Sequence, residues 1–309
     1  MKKVIGIGET ILDILFKNNN PMKAVPGGSV FNSIVSLGRM GVAPILVSEV
    51  GRDRVGDIVV ESLADSGVDV SCVYRYGDAK SPVSLAFLNE NNDAEYLFYK
   101  DNPPTHLDIE FPSIEPDDIV IYGSYFVLNP LLRNRVKAFL EYARERGAIL
   151  YYDVNFRKNH EAEKQKLSEA LIENLEYADI VRGSIDDFNV LYGMNDAVKV
   201  YKEKIKFYSP NFICTHGGDG VKLFTRDFTA DYAVPAVEVV SSVGAGDNFN
   251  AGVIYGLLVA GVTREELPAL SRDAWDGIVQ CGMDFSAHAC TLMDNYVEKS
   301  WAEAYKKIK

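Results

Sequence analysis

Short apolar runs alternate with amphipathic stretches almost from one end of this chain to the other, and that alternation constrains the fold more than any single motif. Residues 3–8, 45–50, 119–123, 149–153, 180–182 and 212–215 are rich in Val, Ile or Tyr and bounded by Gly, Asp or Asn, which predicts buried strands. Between them, residues 31–40, 57–66, 131–146, 162–177 and 196–207 carry helical spacing. In 131–146 the residues Leu132, Val136, Phe139, Leu140 and Ala143 share one face, and Gly147 follows as a stop. Repeated strand–helix–strand order predicts the α/β class: a mostly parallel central sheet flanked by helices on both faces.

Two segments break the rhythm. Residues 11–16 and 22–26 flank the tract Asn18-Asn19-Asn20, and residues 83–88 and 95–100 flank a stretch at 89–93 whose Asn and Asp suit a hairpin turn. The second pair alternates in polarity, as a sheet with one solvated face does. A small inserted β-sheet lid is therefore expected over approximately 11–26 and 82–101. No Pro-, Gly- or Ser-rich linker divides the chain, so residues 1–309 read as one α/β domain carrying that lid.

Charge narrows the function classes. The 32 basic and 44 acidic side chains give a formal net charge of −12, which argues against a nucleic-acid partner because no basic stripe is available for a phosphate backbone. A local pocket for a small anion stays open. Cysteines 72, 214, 281 and 290 form no C-x-x-C pair, which fits reduced thiols in a cytoplasmic protein. The four histidines show no metal-ligand spacing. The longest apolar run, 252–262, is too short to span a membrane, so no membrane association is expected.

The strongest local signal is Ser242-Val243-Gly244-Ala245-Gly246-Asp247-Asn248-Phe249-Asn250-Ala251-Gly252. Residues 237–240 before it are β-like, and an apolar helix to about Val259 is expected after it. Small residues at a helix start leave backbone N–H groups facing outward, where the helix dipole adds positive potential. Gly244, Ala245 and Gly246 are thus a candidate cradle for a transferring phosphoryl group. Asp247, in the first turn beside it, is a candidate base toward a substrate hydroxyl. The competing explanation is structural: small residues for close packing, and an Asp that only complements the dipole. No G-K-[ST] follows, so this is not a Walker A loop.

The Gly-Ala-Gly-Asp segment resembles the C-terminal signature of the ribokinase-like (PfkB-type) carbohydrate kinases, D-T-x-G-A-G-D. Gly27-Gly28-Ser29-Val30-Phe31-Asn32, continuing through Gly38, Gly41 and Gly51, is similar to that family's N-terminal signature. Gly8-Glu9 with Asp13, Gly51-Arg52-Asp53 with Gly56, Asp153-Val154-Asn155-Phe156-Arg157 and Thr215-His216-Gly217-Gly218-Asp219-Gly220 fall in the family's order, from Gly6 to about Gly261. The resemblance implies that Asp13 and Asn32 hold sugar hydroxyls through their side chains and Gly28 through close backbone approach. Taken alone, Gly28 reads as a turn and Asn32 as a helix-start cap. It implies Asp247 as general base, Gly244, Ala245 and Gly246 as anion hole, and ATP and Mg²⁺ as the nucleotide and metal. Thr215, Gly217 and Gly220 would contact the nucleotide, although without the family that glycine cluster reads as a strand-to-turn connection. Arg157 is either a phosphate clamp or half of a surface ion pair. Residues 281–290 fall where the family lines its adenine pocket.

Two departures qualify the resemblance. The family's N-x-x-E motif reads Ser184-Ile185-Asp186-Asp187 here, which leaves Ser184 beside the nucleotide and Asp187 as a shorter carboxylate for magnesium, suited to contact through water. Ser241-Ser242 replaces the usual Asp-Thr, which weakens the implied monovalent-cation (K⁺) site. The partial Gly6-x-Gly8 motif lacks the third glycine of a dinucleotide fingerprint. Tyr96, Phe98 and Tyr99 close over a sugar, pack the lid on itself or form a dimer contact, and Trp275 and Trp301 read as packing residues. The expected function is ATP-dependent phosphorylation of a primary hydroxyl of a small sugar or sugar acid, with a homodimer through the lid. The alternatives are a nucleoside kinase of the same fold, a non-catalytic sugar- or nucleotide-binding relative and a nicotinamide-dependent dehydrogenase.

Overall fold

The central strands divide their side chains between two cores, and that division explains why they read as continuous apolar runs. A computed structural model describes residues 2–90, 94–101 and 106–307. The chain begins with β1 (Val4–Ile7), leaves the body in the hairpin β2 (Ile11–Lys17) and β3 (Asn20–Gly27), and returns through α1 (Ser29–Arg39) to β4 (Ile45–Gly51). Helix α2 (Arg54–Asp65) and β5 (Val73–Tyr76) precede a second excursion, β6 (Val83–Leu88) and β7 (Ala94–Tyr99). The remaining units are β8 (Ile119–Gly123), α3 (Arg133–Glu145), β9 (Ile149–Asp153), α4 (Ser168–Tyr177), β10 (Ile180–Ser184), α5 (Ile185–Tyr192), α6 (Ala197–Val200) and β11 (Asn211–Thr215). An antiparallel pair, β12 (Val221–Phe224) and β13 (Thr229–Tyr232), then leads to α7 (Ala245–Val259), α8 (Arg272–Cys290) and α9 (Lys299–Lys306).

Nine strands form one sheet in the order β13-β12-β11-β10-β9-β8-β1-β4-β5, parallel from β11 to β5. Alternate residues of each strand point to opposite faces. Ile119, Ile121, Ile149, Tyr151, Ile180 and Ile213 pack on the face covered by α1, α7 and α8. Val120, Tyr122, Leu150, Tyr152, Val181 and Phe212 pack on the face covered by α3, α4 and α5. The chain proceeds from β1 toward β4 on one side and later from β8 toward β11 on the other, which opens a crevice at the carboxyl ends of the strands beside β1. Ser124 (φ 60°) and Asn155 (φ 37°) follow β8 and β9 there in the left-handed region that non-glycine residues seldom adopt.

The two excursions pair into a separate four-stranded sheet, β3-β2-β6-β7. The expected lid segments thus form one sheet, although residues 91–93 of the expected hairpin turn lie outside the described residues. Several boundaries differ from expectation. Residues 162–177 divide into a 3₁₀ segment, Lys158–Glu163, and α4; residues 196–207 divide into α6 and a π turn, Tyr201–Ile205. Residues 237–240 form no strand, and Val237 and Val239 are exposed. Among the described residues no helix is long and apolar enough to cross a membrane.

Gly6 and Gly8 have a packing explanation. A Cβ on Gly6 would lie 2.6 Å from Ile34 Cγ1, and one on Gly8 would lie 2.6 Å from Val30 Cβ. These glycines let α1 lie directly on β1, so the Gly6-x-Gly8 pattern needs no dinucleotide to account for it.

Candidate active site

Two helices start at the crevice with their first turns facing each other. Helix α1 follows Gly28, whose φ of 131° and 2.3 Å approach of a would-be Cβ to the Glu9 carbonyl oxygen leave room for glycine alone. Helix α7 follows Gly244 (φ 77°), where a Cβ would meet the Asn295 carbonyl oxygen at 2.6 Å. Between these starts lies Asp247, 6% exposed. Its Oδ1 accepts from Ser29 Oγ at 2.8 Å and its Oδ2 accepts from Asn32 Nδ2 at 2.8 Å. Burial pushes the Asp247 carboxyl above the usual carboxylate range, while the Asn32 hydrogen bond and the Arg157 charge pull it back. Asp247 therefore does more than complement the helix dipole: its carboxylate is held by α1.

The amides at this turn are allotted differently from the sequence expectation. Ala245 N–H donates to the Ser242 carbonyl oxygen at 3.2 Å, which removes it from the expected anion hole. Among the described residues the N–H groups of Gly244, Gly246 and Asp247 have no acceptor, so these amides are the available donors.

Asn32 is not a cap. Its Nδ2 holds Asp247, and its Oδ1 is buried without a partner. A Cβ on Gly27 would lie 2.9 Å from Asp13 Oδ2 and 3.7 Å from Asn32 Oδ1, so both oxygens face the space that this glycine leaves open. Asp13 accepts from Ser84 Oγ, and burial raises its carboxyl to about 6, opposed by that hydrogen bond. The same pocket is lined by Tyr96 and Ala86 from the second sheet and by Ser241 and Asn295 from the body. Tyr96 stacks on Phe98 with ring centroids 5.8 Å apart.

Behind Asp247 lies a buried network of residues far apart in the chain. Asp153, at the end of β9, accepts from Arg182 Nη1 at 3.0 Å on Oδ1 and from Asn250 Nδ2 at 2.8 Å on Oδ2, with Ser29 Oγ 3.4 Å away. Arg182 Nη2 donates to Thr215 Oγ1 at 2.8 Å. Burial works against the Arg182 charge, yet the Asp153 carboxylate holds its pKa above the ordinary value. Sequence reading overlooked Ser29, Arg182 and Asn250 as functional candidates. The available signal was Arg182 itself, a charge inside a buried strand that must find a partner.

The nucleotide-side residues divide into open and engaged groups. Nothing lies within 4 Å of a Cβ built on Gly217 or Gly218, while one on Gly220 (φ 120°) would lie 2.5 Å from the Tyr232 carbonyl oxygen. The loop after β11 thus presents open backbone at Gly217, with Gly220 fixing the turn. The Ser184 and Asp187 side chains form a capping box at the start of α5: Ser184 N–H donates to Asp187 Oδ2 at 2.7 Å, and Asp187 N–H donates to Ser184 Oγ at 3.2 Å. Burial raises the Asp187 carboxyl, opposed by the Arg157 and Arg182 charges. Arg157, exposed after β9, bears electrostatically on both Asp187 and Asp247. Among the described residues no cluster of three or more His, Cys, Asp or Glu side chains could hold a metal ion by itself.

The sequence and the fold have counterparts among known proteins. The chain is 26% identical over 265 residues to fructokinase-1 of Oryza sativa subsp. japonica, covering 80% of each. It is 28% identical over 254 residues to 5-dehydro-2-deoxygluconokinase of Geobacillus thermodenitrificans, covering 75% of this chain and 72% of that one. Its fold superimposes with a TM-score of 0.85 on a fructokinase double mutant from Vibrio cholerae O395 in its fructose-, ADP- and potassium-bound form, at 21% identity and covering 99% of this chain and 98% of that one. Residues 1–270 match the pfkB family carbohydrate kinase description, and the chain belongs to that family of ribokinase-like phosphotransferases acting on sugar hydroxyls.

Proposed function

We propose that this protein transfers the γ-phosphoryl group of ATP to a primary hydroxyl of a small sugar or sugar acid, with Asp247 as general base. The observation that carries the reading is the buried Asp247 carboxylate, fixed by Ser29 and Asn32 beside the unpartnered amides of Gly244, Gly246 and Asp247. A hydroxyl seated between Asp13 and Asn32 would lose its proton to Asp247 as its oxygen attacks the phosphorus in line. The outward amides and the Arg157 guanidinium would stabilise the charge spread over the phosphoryl oxygens. The open backbone at Gly217 suits a nucleotide lying against it, with Thr215 and Ser184 at its edge.

The donor set fits a magnesium ion that keeps most of its waters and rides on the nucleotide phosphates, because Asp187 is a lone carboxylate already sharing Oδ2 with the Ser184 amide. Bound there, magnesium would neutralise phosphate charge. Ser241 Oγ accepts from Val243 N–H, which gives that turn a local use in place of a K⁺ site.

We read residues 1–309 as one catalytic unit whose second sheet acts as a lid over the sugar and excludes water. Lys100 Nζ donates to Glu9 Oε2 at 2.6 Å and Lys23 pairs with Asp294, so both ends of the lid are tied to the body. Leu97, Phe98 and Tyr99 are 48%, 45% and 60% exposed on its edge strand, a surface suited to a homodimer through the lid. A cytoplasmic location accords with four cysteines that form no disulfide among the described residues, three of them buried.

The test is a coupled assay for ATP consumption across sugars, sugar acids and nucleosides. A sugar is expected to turn over, and Asp247→Asn should lower kcat about 10³-fold while calorimetry shows sugar binding within threefold. Turnover of nucleosides alone would select a nucleoside kinase. Binding without turnover across the panel would select a non-catalytic relative.

A further inference from the structure

We propose that Arg182 is a positioning residue of the phosphoryl-transfer site, its guanidinium packed beneath the first turn of α7 as a fixed positive charge behind the Gly246 and Asp247 amides. The inference rests on the kinase reading above and deepens it.

The position is unusual for a charge. Arg182 lies on β10, a strand paired on both sides, and its side chain is 7% exposed. The strand's alternation places it on the face toward α7, next to Ile180 and across from its register partner Asp153. A buried guanidinium costs heavily unless it is paired, and this one is held by Asp153 and Thr215 with Nε left without a partner. Its Cζ stands 5.7 Å from the centre of the Phe249 ring, on the helix it supports.

Two contacts connect this charge to the chemistry. A Cβ on Gly246 would lie 2.8 Å from Nη2 and 3.0 Å from Nη1, so the guanidinium rests against the Gly246 backbone and a side chain there would displace it. The amides of Gly246 and Asp247 stand between that charge and the place where phosphoryl oxygens would sit. The second contact runs through Asp153. Its oxygens already accept from Arg182 and Asn250, and Ser29 Oγ, with a single proton to donate, lies 2.8 Å from Asp247 Oδ1 but 3.4 Å from Asp153 Oδ2. Asn250 occupies the Asp153 oxygen that Ser29 approaches, and Arg182, bound to the other oxygen, offsets the Asp153 charge that would draw this donor away from the base. Arg157 bears on Asp187 as Arg182 does, but from an exposed position, whereas Arg182 is built into the sheet.

A merely structural role would be to neutralise Asp153. Arg182→Met, Arg182→Lys and the double variant Arg182→Met/Asp153→Asn separate the two roles, measured by kcat, KM and thermal melting. Arg182→Met should lower kcat roughly 100-fold with sugar and ATP KM within threefold, and Arg182→Lys should recover about tenfold of that loss. If Arg182→Met fails to fold, the double variant decides, since it leaves no buried charge unpaired. It should melt near wild type and still turn over at least about 30-fold more slowly. A folded double variant with kcat within threefold of wild type, or a loss confined to KM, overturns the proposal. A wild-type chain that phosphorylates nothing in the panel brings down the kinase reading and this inference with it; an active wild type with an unimpaired double variant brings down the inference alone.

Discussion

The two walls of the site are built on different principles. On the wall of α1, β9, β10 and α7, the side chains of Ser29, Asn32, Asp153, Arg182, Asp247 and Asn250 are buried or half-buried, and each is hydrogen-bonded to another of that wall. On the wall of the second sheet, Asp13 has Ser84 as its side-chain donor and keeps Oδ2 facing open space, while the outer edge exposes Phe98 and Tyr99. The first wall fixes its carboxylates by its own donors before any substrate arrives, with Asn32 Oδ1 and Arg182 Nε left unpartnered among the described residues. Fixed charges of that kind are what preorganised charge stabilisation requires. The second keeps Asp13 Oδ2 open toward the pocket, where a substrate hydroxyl could reach it. In the proposed function chemistry lies on the first wall and recognition mainly on the second, with Asn32 shared between them.

The sharpest way to break this comparison lies within α7, where Gly246 and Gly252 are in close contact for different reasons. At Gly246 a methyl group would meet the Arg182 guanidinium; at Gly252 it would meet the Cys281 carbonyl oxygen at 2.2 Å, where α7 crosses α8. Gly246→Ala should lower kcat about 100-fold with a small change in melting temperature, because the displaced group is the end of a side chain. Gly252→Ala should cost about 1–3 kcal/mol of stability by forcing two backbones apart, with kcat per folded molecule within twofold. Steady-state kinetics and thermal melts of the two variants check this. The reverse pattern would show that the framework wall is packing and not chemistry.

Much of this was legible in the sequence, and the remainder was hidden for identifiable reasons. Runs such as Ile119–Gly123 and Ile149–Asp153 match their strands residue for residue, because a strand buried on both faces has no polar interruption to blur its ends. Residues 237–240 have β-like composition, but Val240 and Ser241 direct their N–H groups to the Cys290 carbonyl instead of to a strand. Ser184-x-x-Asp187 was legible as a capping box from its spacing alone, and the departure from the family pattern drew attention away from that simpler use. Ser29 and Asp247 are 218 residues apart, and Asn250 and Asp153 are 97 apart, so no local spacing could announce those bonds. The Ala245 amide was counted as a phosphate donor because helix starts leave their N–H groups free, and only the turn at Ser242 shows it spent.

On the recognition wall the effects should be smaller and should fall on KM. In the proposed function Asp13 would accept a sugar hydroxyl as a carboxylate, and its folded pKa near 6 stands above the ordinary value of 3.8. The group is ionised above about pH 6 and takes up a proton below it, so sugar affinity weakens as pH falls through 6. From about pH 7 to about pH 5 the ionised fraction drops about tenfold, and sugar KM should rise by that factor. Asp13→Asn should raise KM at pH 7 by about tenfold and abolish the pH dependence. A pH-independent KM in the wild type would remove Asp13 from sugar binding.

The smallest effect concerns the lid tie. Glu9 and Lys100 are 24% and 35% exposed, a degree at which an ion pair contributes about 0–1 kcal/mol and is screened by salt. Lys100→Met should therefore raise sugar KM about threefold at low ionic strength, and the difference should shrink in about 0.5 M salt. The variant also acts on Asp13, because the Glu9 charge raises the Asp13 pKa and the Lys100 charge lowers it. Removing Lys100 leaves Glu9 unopposed, so the acid limb of the KM profile should move to higher pH. A shift of that limb without a change in kcat would show the tie and the sugar acceptor acting as one electrostatic unit of the recognition wall. A loss in kcat instead would place the lid's closure within the chemistry and dissolve the division between the walls.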